Sequence, residues 1–117
     1  MATFLLSYRS ANSYTPGQPE GIAAWQAFFG GLGERVVDIG NPIFARTTLG
    51  NCDAHTTVLG GYSFISADDL AAAVELAKGC PALANAGGVE VGEITPLNPE
   101  TMVTTIADHA RVAGAVN

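Results

Sequence analysis

Histidine is the side chain that most readily moves a proton near neutral pH, and this chain has two, His55 and His109. His55 follows Asp53 by two residues and Cys52 by three. A histidine oriented by a carboxylate is a general base, so His55 with Asp53 is the candidate catalytic pair. Cys52, Asp53 and His55 also offer metal-ligating atoms. The run Cys52-Asp-Ala-His55 lacks the spaced ligand pairs of a zinc site, however, and no metal is expected there. The plainer reading of His55 is a solvated turn residue. His109, beside Asp108, is expected at the surface or in a subunit contact.

Cations are scarce: five Lys and Arg stand against eleven Asp and Glu, for a net charge of −6. Arg9 and Arg46 therefore stand out. Arg9 closes the first apolar run and Arg46 lies in an arm after the second, so both can reach one cleft mouth and hold a carboxylate or phosphate bidentately. The alternative is a salt bridge from each to an acid. Tyr8, Trp25 and Tyr62 are the candidate walls of a pocket between helix and sheet, where an indole N–H or a phenol needs a polar partner. Trp25 also fits plain core. Asp68 and Asp69 are explained by helix capping alone. Gly31-Leu-Gly33 closes a helix where a dinucleotide loop would open one, and no Gly-Lys-Ser/Thr or Gly-x-Ser-x-Gly occurs, so no cofactor is expected.

The elements that must position these groups come from a chain of 117 residues, 48% of them apolar and 14% charged. Folding a chain of this size buries about 65% of its surface, enough for one core. The acidic balance argues against nucleic acid or anionic membrane as partner. Phe4-Leu5-Leu6 is too short for a signal-peptide core, and no apolar stretch is long enough to span a bilayer. Two cysteines without a framework, Cys52 and Cys80, fit a reduced, cytoplasmic protein.

Thr3 to Tyr8 reads as a strand, and the Pro- and Gly-rich run Tyr14 to Pro19 as a loop. Pro19 opens a helix whose apolar stripe is Ile22, Trp25, Phe28, Phe29 and Leu32, stopped by Gly30, Gly31 and Gly33. Arg35 to Ile39 is a short strand, and Ile43 to Leu49 either continues it or forms an arm. Thr56 to Ser66 is a third strand, with Gly60-Gly61 marking a bulge or close approach. Ser66 is the expected cap of a second helix with inner residues Leu70, Ala73, Val74 and Ala77, closed by Lys78-Gly79 and Pro81. Gly88 to Ile94 is the last strand. The result is α+β in the ferredoxin-like order βαββαβ. Adjacent apolar pairs (Phe4-Leu5, Val36-Val37, Phe64-Ile65) place hydrophobic groups on both sheet faces, and two helices cover only one. A second copy packed through the sheet faces is the simplest cover, which makes a homodimer the expected state. In the remainder, Asn98 is the expected cap of a helix with Pro99 first and Met102, Ile106 and Val112 on one side.

Three stretches carry a family resemblance: Trp25-Gln-Ala-Phe-Phe-Gly-Gly-Leu-Gly-Glu-Arg-Val-Val-Asp-Ile-Gly-Asn-Pro42, Gly60-Gly-Tyr-Ser-Phe-Ile-Ser-Ala-Asp-Asp-Leu-Ala-Ala-Ala-Val-Glu-Leu-Ala-Lys-Gly-Cys-Pro81, and Gly87-Gly-Val-Glu-Val91. The chain from about residue 3 to 94 resembles the YCII-related (YciI-like, DGPF-type) domain family, which implies a ferredoxin-like dimeric α/β barrel. Two departures stand out. The family's helix histidine, half of a proposed catalytic pair with an aspartate, is absent from a helix that carries Trp25. The Asp-Gly-Pro-Phe motif is replaced by Asn51-Cys-Asp-Ala-His-Thr56. The expected organisation is a YCII-related domain at 1–94 and a helical extension at 95–117. The expected function is small-molecule binding in a helix–sheet cleft of a homodimer. One alternative is a cofactor-independent enzyme acting on a small cyclic or carboxylated metabolite, with His55 and Asp53 as the acid/base pair and Arg46 holding the anion. A structural or partner-binding dimer is the other.

Overall fold

Strand alternation in the first ten structured residues sets the architecture. Phe4, Leu6 and Tyr8 are buried while Thr3, Leu5 and Ser7 between them are half-buried, so strand β1 (Ala2–Ala11) packs one face firmly and leaves the other open. The computed structural model describes residues 1–116, with side chains described to 111. After β1 come helix α1 (Pro19–Leu32), a 3₁₀ turn (Gly33–Arg35), β2 (Val36–Pro42), β3 (Thr57–Ala67), α2 (Leu70–Ala77), α3 (Pro81–Ala84), β4 (Gly88–Glu93) and α4 (Met102–Val116). The four strands pair antiparallel in the order β2-β3-β1-β4, compatible with a ferredoxin-like α+β fold. No described helix is long and apolar enough to cross a membrane.

The core joins Phe4, Leu6 and Tyr8 to Ile65 and Ala67 of β3, Phe28 and Leu32 of α1, Ala73 and Ala77 of α2, and Cys80 and Ala82 around α3. The opposite face has no helix over it among the described residues: Leu5, Tyr62 and Phe64 are half-buried there and Leu59 is exposed. The apolar stripe of α1 divides along its length. Phe28 and Leu32 are buried, Trp25 and Phe29 are half-buried, and Ile22 is exposed. The helix passes through Gly30 and Gly31 and stops only at Gly33, whose N–H makes the last helical bond, to Phe29 O, and whose positive φ of 58° then turns the chain out of the helix.

Several boundaries differ from the sequence reading. β1 runs on through the polar residues Arg9 to Ala11, because ladder bonds to Thr57, Val58 and Leu59 do not depend on side-chain polarity. Ser66 is not a cap: it pairs with Thr3 inside the sheet. Asp69 caps α2 instead, its Oδ1 accepting from Ala72 N–H at 2.8 Å. α2 approaches the sheet on a seam of Ala73 and Ala77 and is rolled so that Ala72 and Leu76 pack, while Leu70 and Val74 face out at 50% and 38% exposure. Pro81 does not only end α2 but also opens the one-turn α3, since proline suits a first helical position. The arm after residue 42 does not extend β2, and its register hold is Ile43 N–H to Gly60 O. Asn98 forms a turn with Glu100 N–H rather than starting a helix at Pro99, and α4 begins at Met102. Met102, Val103 and Ile106 on α4 are exposed, and the side chain of Val112 lies outside the described residues.

Candidate functional site

Where the stripe of α1 leaves the core, its upper end becomes the wall of a cavity of about 520 Å³. That is within the usual size of small-molecule sites. Trp25 and Phe29 lie offset-stacked there, with ring centroids 5.8 Å apart at 29°, and Trp25 meets Tyr8 edge-on at 4.7 Å. The loop after β1 contributes Asn12, Tyr14 and Pro16, the end of β2 and its arm contribute residues 39–44 and Arg46, and the α3–β4 turn contributes Asn85 and Gly87. Two tight backbone approaches shape the rim. Gly60 is the unpaired residue of a bulge between the Tyr8–Gly61 and Arg9–Leu59 pairs, and a side chain there would strike the Ser10 hydroxyl. Gly40, at φ 75°, lies so close to the Tyr62 carbonyl that a β-carbon would overlap it.

The five residues expected to bind a ligand, Tyr8, Arg9, Trp25, Arg46 and Tyr62, all border this cavity, in different ways. Tyr62 alternates with the buried Gly61 and Ser63, so its ring belongs to the open sheet face, 5.8 Å from Phe64, where its hydroxyl accepts from Asn41 Nδ2 at 3.0 Å. Tyr8 is 5% exposed and its hydroxyl has no hydrogen-bond partner. Burial pushes its pKa up to about 12. The neighbouring Ser63 hydroxyl pulls the other way but stands outside hydrogen-bond geometry with it, donating instead to Ile39 O at 2.5 Å. Burial also raises the Cys80 thiol, with backbone N–H groups of Ala82 and Leu83 opposing. Both cysteines are free, Cys52 exposed and Cys80 buried.

The two arginines are not salt-bridged to acids, the alternative that the sequence allowed. The ion pairs among the described residues are Lys78–Glu75 and Arg111–Asp108. Arg9 donates through Nε to Thr57 Oγ1 at 3.2 Å and through Nη2 to Thr57 O at 2.9 Å. Arg46 donates through Nη1 alone, to Ile43 O and Phe44 O, each at 3.1 Å. Asp, Glu, Lys, His and Cys are absent from the described lining, so Arg9 and Arg46 are its ionised side chains. In a chain of net charge −6 this leaves the cavity locally positive.

His55 and Asp53 do not share that cavity. Both are exposed and line a separate polar depression formed by Thr48 and residues 50–55, beside which the His55 carbonyl accepts from Asn12 Nδ2 at 2.8 Å. Among the described residues no three His, Cys, Asp or Glu side chains converge as a metal set. His109 is exposed on α4, its Nδ1 2.9 Å from Thr105 O. Sequence reasoning missed Tyr14, Phe29, Asn41, Phe44 and Asn85 as lining residues. Tyr14 had a usable signal, in the Pro- and Gly-rich loop directly after the strand that carries Tyr8. No family model, no curated protein and no solved structure matches the chain.

Proposed function

We propose that the protein is a small YCII-related homodimer, with its domain at 1–94 and an extension at 95–117, that binds a small organic anion in the cavity beside Trp25. The observation that carries this reading is the cavity's composition: aromatic and aliphatic walls, amide and hydroxyl groups, and arginine as the ionised residue in an otherwise acidic chain. The described lining has no carboxylate, histidine or thiol, which favours binding over acid/base chemistry there. The dimer is supported by apolar surface that the single chain leaves open, with Leu59 at 36% and Ile39 at 56% exposure and Leu5 and Phe64 half-covered on the uncovered sheet face or its edge strand. Native mass spectrometry of freshly purified protein tests both parts. A mass near twice 12.0 kDa that sheds a small acidic molecule on denaturation is the expected result. A clean monomer at micromolar concentration refutes the face-to-face dimer. A bare dimer that stays bare after incubation with a pool of organic acids refutes the anion site.

A further inference from the structure

Resting on the anion-binding reading above, we infer that Arg46 is the recognition residue of the cavity and that its ligand is a flat-ringed carboxylic acid. The two arginines bordering the cavity present opposite edges. A guanidinium grips a carboxylate through two parallel N–H bonds, most directly along the edge formed by Nε and Nη2. In Arg9 that edge is closed: Nε and Nη2 both donate to Thr57. In Arg46 it is open, because the two bonds made by the side chain both leave from Nη1, to the carbonyls of Ile43 and Phe44. Those bonds fix the guanidinium against its own arm, so the open edge is oriented before a ligand arrives. One planar edge matches the two oxygens of a carboxylate. A phosphate has a third oxygen and a further charge to satisfy, and Arg9, whose Nε–Nη2 edge is taken by Thr57, keeps only its end-on Nη1–Nη2 edge. The other end of the ligand is set by the stacked Trp25–Phe29 pair, an aromatic wall in a lining that also holds Ile22, at 50% exposure. Such a wall favours a planar ring over a flexible chain.

The test uses 2-naphthoate, its neutral amide 2-naphthamide, and inorganic phosphate. Affinity is read by calorimetry, and occupancy by the indole N–H resonance of Trp25, the sole tryptophan. Naphthoate is expected to shift that resonance and to bind at least about tenfold more tightly than the amide, as charge-assisted bidentate bonds do. Arg46→Gln is expected to abolish the preference, and Arg46→Lys, which keeps the charge without the fork, to lose most of it. Arg46 is exposed, so the variants are expected to keep the wild-type backbone spectrum. Equal binding of acid and amide, unchanged in Arg46→Gln, overturns the recognition role while leaving the cavity a binding site. Arg46-dependent binding of phosphate as tight as that of naphthoate overturns the carboxylate assignment. If no probe moves the Trp25 resonance, the anion-binding reading falls and this inference with it.

Discussion

Replacing Tyr8 by phenylalanine deletes one oxygen from the floor of the cavity and is expected to stabilise the protein. Most substitutions at a residue 5% exposed do the opposite. The ring keeps its place: the edge-on contact with Trp25 at 4.7 Å does not use the hydroxyl. What disappears is a buried phenol with no partner, and leaving such a group unsatisfied costs about 1–3 kcal/mol. The expected gain is about 1 kcal/mol, the lower end of that range. For a chain of this length that raises Tm by about 4 °C. The assay is thermal and urea unfolding followed by circular dichroism. pH gives an independent check. The folded Tyr8 holds its proton up to about 12, above the ordinary value of 10.0. Its contribution is therefore constant below pH 10 and is lost as pH rises toward 12, because the unfolded phenol ionises first. The variant has no such loss, so its advantage should widen over that window. A Phe variant about 1 kcal/mol less stable than wild type at pH 7 would refute the reasoning, since it would mean that the hydroxyl is donating to Ser63 or to a buried water.

Two further outcomes follow from the same geometry. Gly40→Ala places a β-carbon against the Tyr62 carbonyl at a residue with φ 75°, so it should cost about 2 kcal/mol or more by denaturant unfolding and disturb the β2–β3 edge of the cavity. Thiol labelling at pH 8 should modify one cysteine quickly, Cys52. Cys80 should react only on unfolding, because it is buried and its raised pKa keeps it protonated.

The elements were legible where a signal repeats along the chain. Ile22, Trp25, Phe28, Phe29 and Leu32 mark a helix because 3.6-residue spacing is a property of near neighbours, and Pro19 and Gly33 bracket it. The strand-like runs, the Gly60 bulge and the order of elements were readable for the same reason. The roll of α2 was not. Leu70 and Val74 carry the stronger hydrophobic signal, yet the sheet accepts the smaller Ala73 and Ala77, a choice made by how closely helix and sheet approach. Ser66 looked like a cap until pairing with Thr3 claimed it for the ladder.

Composition and residue type by themselves determined the scarcity of cations, the candidate status of Arg9 and Arg46, and the aromatic character of any pocket near Tyr8 and Trp25. Only the tertiary structure decided which groups meet. It brought residues 8, 25, 46 and 85 to one cavity and left His55 and Asp53 in another depression. It also separated the two arginines. Thr57, 48 residues from Arg9, closes one guanidinium edge through strand pairing, while carbonyls two and three residues from Arg46 hold the other guanidinium with its edge free. The physical reason is that a side chain's type travels with the chain, whereas the donors left over for a ligand depend on acceptors that folding brings from elsewhere.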